Sequence, residues 1–301
     1  MPLWKWLLLN AYYHGTRPVR WLRLREYALA GRVPAVVLFY HRVADDFSDG
    51  WTISNRTFTR QIRWLKRHFN LVSLSEVQRI VRSGENQRPC VSITFDDGYA
   101  DNCHEAIPLL IKERIPCTYF VTARNVLDGV PFPHDVAAGC PLPPNSLEQL
   151  RAMADAGIEI GAHTYTHPDL GRLTDPKKLR HEIVAGGEAL ADAIGRPMRY
   201  FAFPFGQYRN MTPAAFLMAR EAGYDAVCSA YGGYNFPGDD PFHIQRIAGD
   251  PWTVRLKNWA TIDPRKVSIR PCPSLAGGGA GRLPKLVAGG KRQGRARGPR
   301  P

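Results

Sequence analysis

The chain has 301 residues, 44% of them hydrophobic, enough to bury one large core or two modest ones. Its formal charge of +13 would suit nucleic acid, but residues 1–34 contribute +5 and residues 265–301 contribute +10, which leaves residues 35–264 at −2. The middle is therefore no basic platform for nucleic acid. The six cysteines, with no Cys-x-x-Cys pair and no compact framework, are read as reduced, mostly buried thiols.

In chain order, the first segment carries the apolar run Trp6-Leu7-Leu8-Leu9 among Trp4, Tyr12 and Tyr13. A spanning helix needs about 20 apolar residues, so this run is too short to cross a bilayer, and it lacks the parts of a secretory signal. Aromatic rings beside Lys5, Arg17, Arg20, Arg23 and Arg25 fit two expectations equally: a helix lying in a membrane interface through residues 1–25, or one packed on the domain. The default compartment is the cytoplasm, with peripheral contact at the membrane.

From Val36 onward, short apolar runs alternate with amphipathic stretches, the pattern of parallel strands joined by helices. Strands are predicted at Val36 to Tyr40, Val91 to Phe95, Cys117 to Val121, Ile158 to Ala162, Tyr200 to Phe203 and Tyr224 to Cys228. Phe58, Ile62, Leu65 and Phe69 recur at helical spacing, Ser146 with Gln149 reads as a capping box, and Thr212-Pro213 marks a helix start. Residues 128–144, rich in Pro and Gly, read as a long loop over a site or an insertion. The resulting organisation is a basic, aromatic segment at 1–34, a catalytic domain at 35–264 and a basic, Gly-rich disordered tail at 265–301.

Polar motifs follow three of the strands: Asp96-Asp97-Gly98, then His163-Thr164-Tyr165-Thr166-His167, then Pro204-Phe205-Gly206. Loops after strands gather on one face of a β/α barrel, so a barrel is favoured over an open sheet. Alone, Asp-Asp-Gly is an ordinary turn and a His pair four apart is common on helices. Together they supply a three-ligand set, Asp97, His163 and His167, which leaves room at a catalytic divalent cation for water and substrate. Asp96, its side chain directed elsewhere, is positioned to take a proton from water. Two His and a carboxylate also make an oxygenase iron site, but the adjacent second carboxylate disfavours that reading.

With Phe39-Tyr40-His41-Arg42-Val43, Asp96-Asp97-Gly98, His163-x-x-x-His167 and Phe203-Pro204-Phe205-Gly206 in this order, the span from Val36 to Gly249 resembles the polysaccharide deacetylases, the NodB-homology group of carbohydrate esterase family 4. The resemblance implies an α/β fold, a distorted (β/α) barrel. It implies Asp96 as base, and Asp97, His163 and His167 around one divalent ion, zinc with cobalt or nickel as alternatives. Pro204, Phe205 and Gly206 would form the loop whose Phe205 N–H holds the acetyl oxygen. His243 is the counterpart of a late histidine acid, and His41 could reach the site from the first strand. Many members carry an Arg two residues before the Pro to orient the base; here that position is Ala202, and Arg199 is no evident substitute. The expected substrate is an N-acetylated glycan or a lipid-linked amino sugar. Deformylation of a lipid-linked sugar and glycan binding without catalysis are the alternatives.

Overall fold

The structure is a computed structural model that describes residues 2–47 and 50–269. Its strands are β1 (Ala35–Tyr40), β2 (Arg42–Val43), β3 (Thr52–Ile53), β4 (Asn70–Leu71), β5 (Cys90–Phe95), β6 (Cys117–Val121), β7 (Glu159–Ala162), β8 (Tyr200–Ala202), β9 (Ala226–Cys228), β10 (His243–Ile244) and β11 (Ile247–Ala248). The helices are α1 (Leu3–Gly15), α2 (Arg17–Leu29), α3 (Asn55–His68), α4 (Leu74–Ser83), α5 (Ala106–Lys112), α6 (Ala123–Asp128), α7 (Pro133–Ala137), α8 (Leu147–Asp155), α9 (Pro176–Arg180), α10 (Gly186–Ile194), α11 (Pro213–Glu221) and α12 (Thr253–Ala260).

The nine-stranded sheet runs β10-β9-β8-β7-β6-β5-β1-β11, with β4 also on β5, and every pairing in it is parallel. β1, β5 and β6 are buried along their whole length, which explains their continuous apolar sequence: both faces are covered. β10 and β11 lie at opposite margins of the strand order, yet only Gln245 and Arg246 separate them in sequence. Three residue steps reach about 10 Å, so the sheet must curl until its margins nearly meet. This is the distorted barrel that the family resemblance implied, and Arg246 lies in its seam.

Side chains alternate across the barrel wall. Val36, Leu38, Val91, Ile93 and Phe95 belong to the large core beneath the helices, whereas Ala35, Val37, Phe120, Ala202, Ala226 and Cys228 belong to a separate inner cluster. The interior is narrow. A Cβ built on Gly161 would lie 2.5 Å from the Phe120 ring, so only glycine fits there.

Predicted helix signals appear as read. Ser146 and Gln149 form the capping box of α8, Thr212 caps α11 with Pro213 in its first turn, and Phe58, Ile62 and Leu65 line the buried face of α3. Phe69 differs: α3 ends at His68, and Phe69 is its extended C-terminal cap. Residues 128–144 are not a plain loop, because α7 forms behind Pro133 and Phe132 and Leu142 pack with Tyr99.

Residues 1–34 pack on the barrel rather than standing apart. α1 lies against α12, and the buried Arg20 of α2 donates to the Asn258 carbonyl (2.6 Å) and to Asn258 Oδ1 (2.8 Å). Tyr12 donates to Asp263 Oδ1 at 2.9 Å. The boundary expected at residue 264 falls inside this packing, since Arg265 pairs with Asp263 and Lys266 donates to the Gly232 carbonyl at 3.1 Å. Of the expected tail, residues 270–301 lie outside the described residues, as does Cys272. Among the described residues the other five cysteines are free thiols, three of them buried.

Candidate active site

The carboxyl ends of β1, β5, β7 and β8 open into a cavity of about 510 Å³ whose wall includes His41, Asp96, Asp97, His163, His167 and Phe205. Strand alternation sets the first acid. Ser92, Thr94 and Asp96 occupy alternate positions, and the Asp96 carboxylate lies beside Thr94, in the barrel mouth. There Arg246 grips it through both oxygens, Nη1 to Oδ1 at 2.6 Å and Nη2 to Oδ2 at 2.9 Å, with both side chains buried. The guanidinium is itself fixed: Nε donates to the Ser229 carbonyl, Nη1 donates to Thr94 Oγ1, and the rings of Phe39 and Phe120 lie 5.0 and 5.2 Å away. Burial pushes the Asp96 carboxyl up, but Arg246, His163 and His41 outweigh it and hold the group below its ordinary value.

Asp97 breaks the strand. Its φ of 74° lies in the left-handed region, and Gly98 follows at 94°, where an added Cβ would come within 3.0 Å of Val121. The turn aims Asp97 Oδ1 at His163 Nε2 (3.5 Å) and His167 Nε2 (3.3 Å), with His41 Nε2 at 4.0 Å from Oδ2. Burial raises the Asp97 carboxyl, and the facing imidazoles pull it well below the usual carboxylate range. His163 Nδ1 lies 2.7 Å from the Ala202 carbonyl, which makes that nitrogen the N–H donor and leaves Nε2 as the free lone pair.

His163 and His167 are not neighbours on a helix. The loop between them turns at Thr164 (φ 67°) and His167 (φ 62°). It is held by Glu182, whose carboxylate accepts from Tyr165 N, Thr166 N and Thr166 Oγ1 at 2.7 to 3.0 Å. Glu182 sits in a five-residue π-helical turn, His181–Ala185, between α9 and α10. Such a bulge frequently marks a functional element.

The three ligand atoms of Asp97, His163 and His167 lie within 4.8 Å of one another. Asp97 Oδ1 is buried without a hydrogen-bond partner, although it is a carboxylate oxygen. A buried carboxylate oxygen without a hydrogen-bond partner, facing two imidazole nitrogens, is costly by itself and fits a divalent cation.

Pro204, Phe205 and Gly206 form a tight turn at the mouth, with Phe205 at φ 60° and Gly206 N donating to the Pro204 carbonyl. A Cβ on Gly206 would meet Ala230 N at 2.6 Å. The Phe205 N–H makes no hydrogen bond to the described residues, and its ring packs on His167 at 5.3 Å. His41 lines the cavity, packed between Phe39 and Trp51; burial pushes its imidazole below the ordinary value against the pull of Asp97 and Asp96.

One expectation is corrected. His243 is not part of the cavity wall: its ring is buried against Phe216 (5.2 Å), with Nε2 3.3 Å from the hydroxyl of Tyr231. The short β10 turns this side chain behind Tyr231. His134, from the segment over the site, does line the cavity. Two other residues escaped the sequence reading. Arg246 occupies the role left open at Ala202, and its only signal is a cation between two very short strands. Glu182 carried no motif.

Residues 83–227 match the family model described as polysaccharide deacetylase. A putative polysaccharide deacetylase of Bacillus subtilis, YxkH, is 27% identical over 219 residues, 71% of each chain. A poly-beta-1,6-N-acetyl-D-glucosamine N-deacetylase of Staphylococcus aureus is 24% identical over 69% of this chain and 72% of its own. Among solved structures, IcaB from Ammonifex degensii superposes with a TM-score of 0.64 at 28% identity, covering 76% of this chain and 97% of that one. With the barrel, the ordered motifs and these similarities in agreement, the chain is similar to the polysaccharide deacetylases, which are hydrolases of carbon–nitrogen bonds other than peptide bonds.

Proposed function

We propose that this protein removes N-acetyl groups from the amino sugars of a glycan, releasing acetate, and that it needs one divalent cation held by Asp97, His163 and His167. The observation that carries the reading is the pairing of an orphaned Asp97 Oδ1, facing two imidazoles, with a second carboxylate locked by Arg246 on the same cavity wall. A bound divalent cation, zinc with cobalt or nickel as alternatives, would supply Lewis acidity to water and to the amide carbonyl.

The chain's own groups then divide the remaining work. Asp96, kept ionised by Arg246, accepts the proton of the attacking water as its oxygen bonds to the acetyl carbon. The Phe205 N–H donates to the oxygen on which negative charge develops. When the C–N bond breaks, the sugar nitrogen needs a proton. His41, held mostly neutral by burial, suits hydrogen bonding to the acetamide, so the more exposed His134 is the better candidate donor.

An N-acetylglucosamine polymer is the leading substrate class, in line with the staphylococcal relative's name. Deformylation of a lipid-linked amino sugar is the second reading. A cytoplasmic location, with peripheral membrane contact through residues 1–25, belongs to the same proposal.

The test is acetate release from N-acetylglucosamine oligomers by chelated protein resupplied with zinc, cobalt or nickel. Restored release that disappears in Asp96→Asn supports the reading. Formate release from a formylated amino sugar, without acetate release, favours the second. Tight oligomer binding by a folded, cation-loaded protein with neither release leaves a binding protein.

A further inference from the structure

α1 carries an apolar stripe on the wrong side for a packed helix. Its inner face is used by the Leu9 carbonyl, which accepts from Asn258 Nδ2, and by Tyr12, which donates to Asp263. On the opposite face Leu3, Trp4, Leu7 and Leu8, at helical spacing, are 53% to 72% exposed. α2 repeats the arrangement: Trp21 and Leu22 are 57% to 59% exposed and Leu29 82% exposed. Single exposed leucines are ordinary, but seven large apolar residues on two consecutive helices mark an interaction surface.

The charge beside these stripes selects the partner. Arg17, Arg23 and Arg25 stand against Glu26 alone, since Arg20 is taken up by Asn258, Thr261 and Asp263. Arg25 also lies 5.7 Å over the Trp21 ring. A second copy of the chain, meeting this face through a twofold axis, would press cation against cation. Anionic lipid headgroups above acyl chains answer both features, with tryptophans at the boundary and cations in the headgroup layer. Neither helix can do more than lie on the surface: among the described residues no helix is long and apolar enough to cross a membrane.

We infer that the outer faces of α1 and α2 dock this protein on an anionic lipid bilayer, with Leu3, Trp4, Leu7, Leu8, Trp21 and Leu22 entering the interface. This deepens the membrane-contact part of the proposed function and is independent of the hydrolytic part. Orientation follows from the fold. Val33, Pro34, Pro89 and Cys90, at the amino ends of β1 and β5, line a cleft with Trp21 and Leu24 of α2, so α2 lies beside the barrel end opposite the cavity. A six-residue strand spans about 20 Å, which sets α2 about that far from the mouth of the catalytic cavity.

Flotation of the full chain with vesicles tests this, using phosphatidylcholine alone and phosphatidylcholine with about one third phosphatidylglycerol. Binding to the anionic vesicles is expected, with a blue shift of tryptophan emission and a loss on raising salt. Leu7→Glu/Leu8→Glu should weaken it by roughly tenfold or more while the circular dichroism spectrum stays that of the parent. Arg23→Ser/Arg25→Ser should lose the preference for anionic over neutral vesicles. No flotation of the parent chain, or equal flotation of the Leu7/Leu8 variant, would overturn the inference. A parent dimer dissolved by the same variant, without vesicle binding, would assign the face to a second copy. Acetate release from soluble oligomers reports on the hydrolytic reading separately.

Discussion

The two ends of the barrel use arginine–aspartate pairs for opposite purposes. At the carboxyl end, Arg246 holds Asp96 beside an open cavity and leaves Asp97 without a cation of its own. At the amino end, Arg20 and Arg265 converge on Asp263 to fasten two helices whose outer faces remain apolar and exposed. In the first case a charge is fixed so that chemistry can use it. In the second it is consumed in holding a surface. The contrast shows that burial of an ion pair does not by itself mark a site; what marks it is an adjacent polar atom left unsatisfied.

The largest test of this contrast falls at Asp96. Asp96→Asn should reduce kcat by about 10² to 10⁴ with the fold intact, as loss of a general base does. Calorimetric zinc titration should show Asp97→Ala losing cation binding while Asp96→Asn retains it, and binding retained in Asp97→Ala would refute the ligand assignment.

Next comes Arg246→Met, which leaves Asp96 buried and unpaired and should cost about 3–5 kcal/mol in urea denaturation. The sign of its pH effect is fixed. With Arg246 present, the folded Asp96 lies below its unfolded value, so its stabilisation is complete above the ordinary carboxylate range and is lost as pH falls through the lower folded value. Without Arg246 the carboxyl rises, and the acidic limb of the kcat/KM profile should move to higher pH.

At the amino end, Asp263→Asn should cost about 1.5–3 kcal/mol, the range for hydrogen bonds to a charged group, and speed amide exchange in α1. Activity on soluble oligomers should stay at the parent level. Burial raises the Asp263 carboxyl, but Arg265 and Tyr12 hold it net below its ordinary value. Its contribution is likewise present above the ordinary carboxylate range and lost on acidification through the folded value. Lost activity on soluble oligomers in Asp263→Asn would mean that the two ends are coupled. The smallest effect is expected for Arg199→Ala. This arginine pairs with Glu159 and Asp225 at the surface, so its loss should cost less than about 0.5 kcal/mol and leave kcat/KM unchanged.

The sequence was readable where strand, turn and ligand coincide. Asp97, His163 and the Pro204 turn each follow a buried apolar run, and parallel strands must deliver such positions to one end. Arg246 was not readable, because β10 and β11 are two residues each and carry no period, and because its partner lies 150 residues earlier across a seam visible only after the sheet curls. His243 was misplaced for the same reason: a two-residue strand does not announce which side its ring takes. Glu182 acts by accepting backbone N–H groups of a distant loop, a role that any helical glutamate could fill in sequence. The first two helices stayed ambiguous because Trp, Tyr and Arg suit both a packed face and an exposed one, and α1 has one of each.

Of the six described non-glycine residues with positive φ, Asp97, His167 and Phe205 line one cavity and Thr164 lies in the loop between its two histidines. Each forced left-handed turn costs about 1–3 kcal/mol that glycine would not incur. A library of this protein selected only for heat resistance would therefore collect glycine and asparagine at those positions early. It would drift toward sturdier barrels that no longer hydrolyse anything, and a stabilisation campaign that leaves these four codons fixed would avoid that drift.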